Sequence, residues 1–339
     1  MLADSLLLCS ITVNVFLGEE TVKYTMRPKG NYFFGCPVNE TEDISFLLYT
    51  RFNPRVSHRL YLDDDESLTK SYINKSQSTV VYIHGFTEKA SGLSASVIRD
   101  AYLDRGFYNV ILVDWNALAA FPWYFAAVQN CQVVGSYLAR FLDYLDSKGF
   151  ALTNVHVVGF SLGAEVAGFT GQHLRAGMGP RLPRITGLDP AYPLFKHHNV
   201  KLRLSKGDAI FVDVIHTDGG VLGIPSRIGH ADFFPNGGRP VQPGCDVASI
   251  FFRASFEDLV FCSHKRSWKY YAESINDEFG FPAYRCRNWM DFRIGHCSSV
   301  SGTTYMGIAT RTSASGKYFL QTNPNPPFAK KRDNSVEFR

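Results

Sequence analysis

Residues 155–168 read VHVVGFSLGAEVAG, an apolar run that breaks into Gly-Phe-Ser-Leu-Gly and then resumes with helix-forming residues. This stretch constrains the chain more than any other. A strand has to turn sharply into a helix here, with Ser161 at the tip in strained backbone geometry, so Gly159 and Gly163 remove side chains that would collide across the turn. The flanks suit the pattern: Asn154 to Val158 reads as a strand and Ala164 to Leu174 as a helix. A glycine-rich strand-to-helix turn of no special purpose has the same five-residue form, so the rest of the chain has to decide what Ser161 does.

Element order points to a wound sheet. Thr79 to His84 (TVVYIH) and Val110 to Trp115 (VILVDW) are β-branched apolar runs of the kind that form buried parallel strands. The helical spacing of Leu93 to Leu103 lies between them, and that of Gln129 to Leu145 follows. Further strands are expected at Ile185 to Asp189 and Ala209 to His216, and a helix at Lys265 to Glu273. The pattern predicts an α/β fold with a mostly parallel sheet and helices on both faces. At 339 residues the chain has room for one large α/β domain or two modest ones, and no repeat or linker divides it. One domain over residues 30–325 is expected, with a loose basic tail at 326–339. A hydrophobic fraction of 45% argues for an ample core. The net charge of +4 comes with no dense basic stripe outside Lys330-Lys331-Arg332, which argues against nucleic acid as a partner.

Leu6 to Gly18 is apolar and too short to span a bilayer, which suits a secretory leader over residues 1–18; a buried first strand or helix is the alternative. No other segment suggests membrane insertion. Removing Cys9 with the leader leaves Cys36, Cys131, Cys245, Cys262, Cys286 and Cys297, an even set that reads as an extracellular disulfide framework. Sequence proximity pairs Cys245 with Cys262 and Cys286 with Cys297, leaving Cys36 for Cys131 by elimination. Asn39-Glu-Thr41 and Asn74-Lys-Ser76 have the form of glycosylation acceptors in the same compartment.

A serine hydroxyl is a poor nucleophile until a base takes its proton, so an acid and a histidine should follow Ser161. Asp189 ends an apolar strand within Leu-Asp-Pro, where the acid belongs; Asp208, Asp213 and Asp218 are rivals. His197, His198, His216, His230, His264 and His296 all come after it, and spacing does not choose among them.

The elbow, His-Gly-Phe after a strand, GLDPAYPLF, DVIHTDGG, GHADFFPNGG, PGC and CSHKRSWKYY together resemble the pancreatic lipase family, over roughly residues 30–325. The resemblance implies an α/β-hydrolase fold and a triad of Ser161 as nucleophile, Asp189 as orienting acid and His264 as general base. It places the oxyanion-hole donors at the backbone N–H groups of Phe86 and Leu162. It makes the segment between Cys245 and Cys262 a lid; that segment is both apolar and acidic, which suits a lipid interface with Phe251 and Phe252 inserted, a buried hairpin being the alternative. The aromatic stretches Phe121 to Phe125 and Phe251 to Phe261 are expected to line an acyl cleft. The lid and the loop from Asp218 to His230 both look shorter than in triacylglycerol lipases, which implies a secreted phospholipase A1; a triacylglycerol lipase or galactolipase is the alternative. Insect yolk proteins keep this fold as silent binding or storage proteins, a reading of another class. The family's calcium site matches at Arg203 and Asp208, but Val200 and Ser205 stand at its other acidic positions, so no metal and no cofactor is expected. The chain also stops where many relatives continue into a C-terminal β-sandwich, so a colipase-like partner is not expected.

Overall fold

The structure, a computed structural model, describes residues 9, 11–17, 20–30, 35–177, 181–195, 199–246, 256–297 and 303–330. A hairpin of β1 (Thr12–Leu17) and β2 (Glu20–Thr25) precedes the main sheet. That sheet begins with β3 (Ser45–Tyr49), β4 (His58–Leu60), β5 (Ser78–Ile83), β6 (Tyr108–Asp114), β7 (Val155–Phe160), β8 (Arg184–Leu188) and β9 (Phe211–Ile215). It continues with β10 (Ala231–Pro235), β11 (Pro282–Arg285), β12 (Thr303–Tyr305) and β13 (Gly316–Leu320). The order across it is β4-β3-β6-β5-β7-β8-β9-β10-β13-β11-β12. From β6 to β13 neighbours run parallel; β3, β4, β11 and β12 add antiparallel edges.

Four long helices cover the sheet: α1 (Leu93–Arg105), α2 (Tyr124–Ser147), α3 (Leu162–Ala176) and α4 (Phe256–Asn276). Successive strand residues point to opposite faces, and both faces are apolar. Val81, Ile83, Ile111, Val113 and Val157 bury against α2 and α3. Val80, Tyr82, Val110, Leu112 and Val158 bury in the opposite core with residues of α1 and α4. A strand buried on both sides has to be apolar throughout, which is why TVVYIH and VILVDW carry no alternation. The chain leaves β5 for β6 on one side and returns to β7 on the other. The carboxyl ends of β5 and β7 therefore flank the crevice where such sheets bind ligands.

Two expectations need correction. Cys36 pairs with Cys9, and Cys131 is a free, buried thiol. Cys131 sits on the apolar face of α2, with Sγ 3.3 Å from the Ala127 carbonyl and 3.8 Å from the Leu162 carbonyl, turned toward α3. Setting Cys9 aside with the leader produced the wrong parity. The other two pairs, Cys245–Cys262 and Cys286–Cys297, form as expected. α4 is also far longer than the expected Lys265 to Glu273, and residues 282–320 supply three strands that no periodicity announced.

Candidate active site

Ser161 joins β7 to α3 at φ 56° and ψ −120°. A residue with a side chain in such a region costs on the order of 1–3 kcal/mol and persists only where its surroundings dictate it. Here they do. The Ser161 N–H donates to Leu188 O at 3.0 Å, and its carbonyl accepts from Ala164 and Ala191 at 3.0 and 3.3 Å. A Cβ on Gly159 would lie 2.2 Å from Gly163 O, and one on Gly163 2.1 Å from Ile83 O. The backbones of β5, β7 and α3 thus meet directly beneath Ser161, leaving room for glycine alone.

Asp189 ends β8, fully buried, at φ 44°. Its Oδ2 lies 2.6 Å from His264 Nδ1. Its Oδ1 accepts the N–H groups of Thr217 at 2.7 Å and Asp218 at 3.1 Å. Gly223 passes so close that a Cβ there would be 2.3 Å from Oδ1. The carboxylate is therefore fixed from three sides with one oxygen reserved for the imidazole. A ring that donates from Nδ1 presents Nε2 as an acceptor. His264 lies on α4, its ring tilted against Phe160 with centroids 4.7 Å apart, and lines one cavity together with Ser161.

The other candidates fall elsewhere. Asp213 is held by Arg184 at 2.8 and 2.9 Å and by Thr186. Asp208 accepts from Ser205 and Gln172. His216 is buried between Asp232 and the Ile224 carbonyl, and the His230 ring accepts the Val212 N–H. His296 is exposed, and His197 and His198 lie outside the described residues. Asp218 is the rival that comes nearest: its carboxylate, that of Asp189 and a His264 nitrogen all lie within 4.8 Å of one another. Burial, and then the charge of Asp189, push Asp218 up to about 6, against the pull of His264. It makes no hydrogen bond to the ring; its Oδ2 accepts Leu222 N–H.

The cavity above Ser161 encloses about 280 Å³ and is walled by Phe86, Tyr124, Phe160, Pro193, Leu222 and Phe261. Tyr124 and Phe261 come from the aromatic stretches expected there. Phe121 and Phe125 are instead exposed, and Phe251 and Phe252 lie outside the described residues. The loop after β5 is built on His84, whose Nε2 receives Trp115 N–H while Trp115 Nε1 donates to His84 O. Glu88 accepts Gly85 N–H, and Thr87 adopts φ 65°. This loop carries Phe86 to the cavity edge, its ring edge-on to Tyr124 at 5.1 Å. Leu162 is the first residue of α3, so its N–H has no carbonyl one turn back to receive it. The Cys245–Cys262 bridge closes the segment between the two cysteines onto α4, whose early turns bring Phe261 to the cavity; residues 247–255 lie outside those described.

Behind Ser161 lies a buried acid that the sequence did not announce. Glu165 on α3 is completely buried; one oxygen accepts Leu204 N–H at 2.6 Å and the other has no partner. Burial raises its carboxyl to about 8. Only its position, on the helix face that also carries Leu162 and Phe169, signalled this burial.

The residues matched to a calcium site fail on chemistry. A calcium ion takes about six to eight oxygen ligands. Here Asp208 is the one carboxylate lining its cavity, with both oxygens already accepting hydrogen bonds, among Arg175, Lys201, Arg203 and Lys206. That donor set does not fit calcium.

Comparison with known families matches residues 32–328 to the one described as Lipase. The chain is 37% identical over 314 residues to pancreatic lipase-related protein 2 of Bos taurus, a match covering 85% of this chain and 65% of that protein. It is 39% identical over 256 residues to lipase member H-A of Xenopus laevis, covering 75% and 53%. It is also 37% identical over 311 residues to a Homo sapiens protein named inactive pancreatic lipase-related protein 1, covering 85% and 65%. The chain spans 53–65% of the length of these curated relatives.

Proposed function

The chain belongs to the lipase family, and from that premise we propose that it hydrolyses carboxylic esters of lipids through an acyl-enzyme on Ser161. The carrying observation is the 2.6 Å bond from His264 Nδ1 to buried Asp189, with His264 and Ser161 lining one apolar cavity. Family membership alone does not carry it, since one relative is named inactive. In the proposed reaction, Ser161 Oγ attacks the ester carbonyl while His264 Nε2 takes its proton. The Phe86 and Leu162 N–H groups receive the oxyanion. His264 then protonates the leaving alcohol, and water releases the fatty acid by the reverse proton path.

The substrate we favour is a phospholipid cleaved at the sn-1 ester, at a membrane or lipid-droplet surface. The support is the loop between Asp218 and His230, with 11 residues between them, which folds tightly enough for Gly223 to touch Asp189 and gives the cavity a single wall residue, Leu222. A secreted protein is proposed from the disulfides and from Asn39 and Asn74, both exposed as glycan acceptors have to be. No helix among the described residues is long and apolar enough to cross a membrane.

The test is fatty-acid release from phosphatidylcholine, triolein and galactolipid by the native chain and by Ser161→Ala. Release from the phospholipid sn-1 position, lost in the variant, is expected. Release from triolein alone overturns the substrate class, and no release from any ester overturns the enzyme.

A further inference from the structure

We propose that the groove at the C-terminal end of α3 binds a phosphate-bearing anion, at a second site separate from the catalytic one. The groove encloses about 640 Å³. Arg175 comes from the last turns of α3, Lys201, Arg203 and Lys206 from the segment before β9, and Arg227 from the loop before β10. Against these five cations the lining offers one carboxylate, Asp208. The lining therefore carries a strong excess of positive charge.

The nearby acids do not neutralise it. Asp208 spends its oxygens on Ser205 and Gln172. Asp232 is fully buried, accepts the N–H groups of Ile228 and Gly229, faces His216, and lies 3.6 Å from Arg227. Among the described residues no carboxylate forms an ion pair with Arg175, Lys201 or Lys206. Arg203 is 7% exposed, and the acids acting on it are Glu165, Asp208 and Asp232. Of these, Glu165 keeps its proton to about 8 and so contributes little charge at neutral pH.

A second group registers the same field. His230, at the edge of the groove, is lowered by burial and then by Lys206, Arg181 and Arg227. Guanidinium forks match the oxygens of phosphate, and charge-assisted bonds of this kind are about twice as strong as neutral ones. The volume leaves room for an organic group attached to the phosphate. A lipid head group and a soluble phosphate share this chemistry. Ser161 precedes α3 while Gln172 and Arg175 lie near the helix's far end, so occupancy of the groove does not touch the nucleophile.

The test uses the intact chain. Inorganic phosphate is titrated calorimetrically against a chloride control at equal ionic strength, for the native protein and for Lys201→Glu and Lys206→Glu, both exposed. Each reversal should weaken phosphate binding about tenfold, with melting temperature and hydrolysis of a neutral short-chain ester unchanged. Lys317→Glu, an exposed reversal on β13, should leave binding intact. Flotation with phosphatidylcholine vesicles, with and without phosphatidic acid, separates the sources. Capture by phosphatidic acid that is lost in the reversals makes the ligand a head group; phosphate binding without capture makes it soluble. Phosphate binding no stronger than chloride, or equal in native and reversed chains, overturns the site. The readout is binding, so an inactive catalytic centre does not affect it.

Discussion

Glu165→Gln tests whether the fold stores a protonated acid behind Ser161. Glu165 is fully buried, one oxygen receives Leu204 N–H, and burial lifts its carboxyl from the ordinary 4.5 to about 8. The unfolded chain gives up this proton near the ordinary value, while the folded chain holds it until about 8. Between those limits the unfolded state binds fewer protons, so native stability falls as pH rises. At about 1.4 kcal/mol per pH unit, the full effect is about 5 kcal/mol. Glutamine keeps the acceptor for Leu204 and cannot ionise. Urea unfolding of both proteins at about pH 5 and about pH 9 reads the difference. The variant should gain on the native chain by several kcal/mol across that interval and then run parallel to it. Curves that stay parallel throughout would refute a buried neutral acid at this position.

Asp189→Asn should lower turnover by on the order of 10⁴, because the imidazole loses the partner that fixes its tautomer. Asp218→Asn, which removes no bond to the ring, should keep turnover within about tenfold. Equal losses in both variants would contradict the assignment. Gly163→Ala sets a methyl 2.1 Å from the Ile83 carbonyl. It should cost at least roughly 1–3 kcal/mol, read as a lower Tm, and an unchanged Tm would sink the steric argument. Thiol mapping of the denatured, unreduced full chain should find Cys131 free. In a chain lacking residues 1–18, Cys36 should be free as well, because its partner Cys9 is gone. A peptide linking Cys36 to Cys131 would contradict the fold.

What the sequence made legible was local. Gly159 is dictated by its contact with Gly163 within one turn, although Gly163 also meets Ile83 on β5, and apolar runs such as TVVYIH identify two-sided burial without any partner being known. Asp189 was readable as a strand end, but its preference over Asp218 depends on which oxygen faces His264, and that lies in the packing of α4 against the sheet. The pairing of Cys36 turned on one premise about residues 1–18. Glu165 was hidden because a glutamate four residues after the nucleophile reads as a good helix former, and only the packing of Leu204 across α3 shows that no water reaches it. The strands β11, β12 and β13 are three to five residues long, too short to declare a period.

The central claim is that Ser161 is an activated nucleophile. Incubation of the folded chain with a lipid-like organophosphonate, followed by peptide mass spectrometry, measures this directly. The account predicts one covalent adduct, on Ser161, formed as hydrolysis of a simple ester is lost and abolished by His264→Ala. An unlabelled Ser161 in a folded protein that still hydrolyses the ester would contradict it.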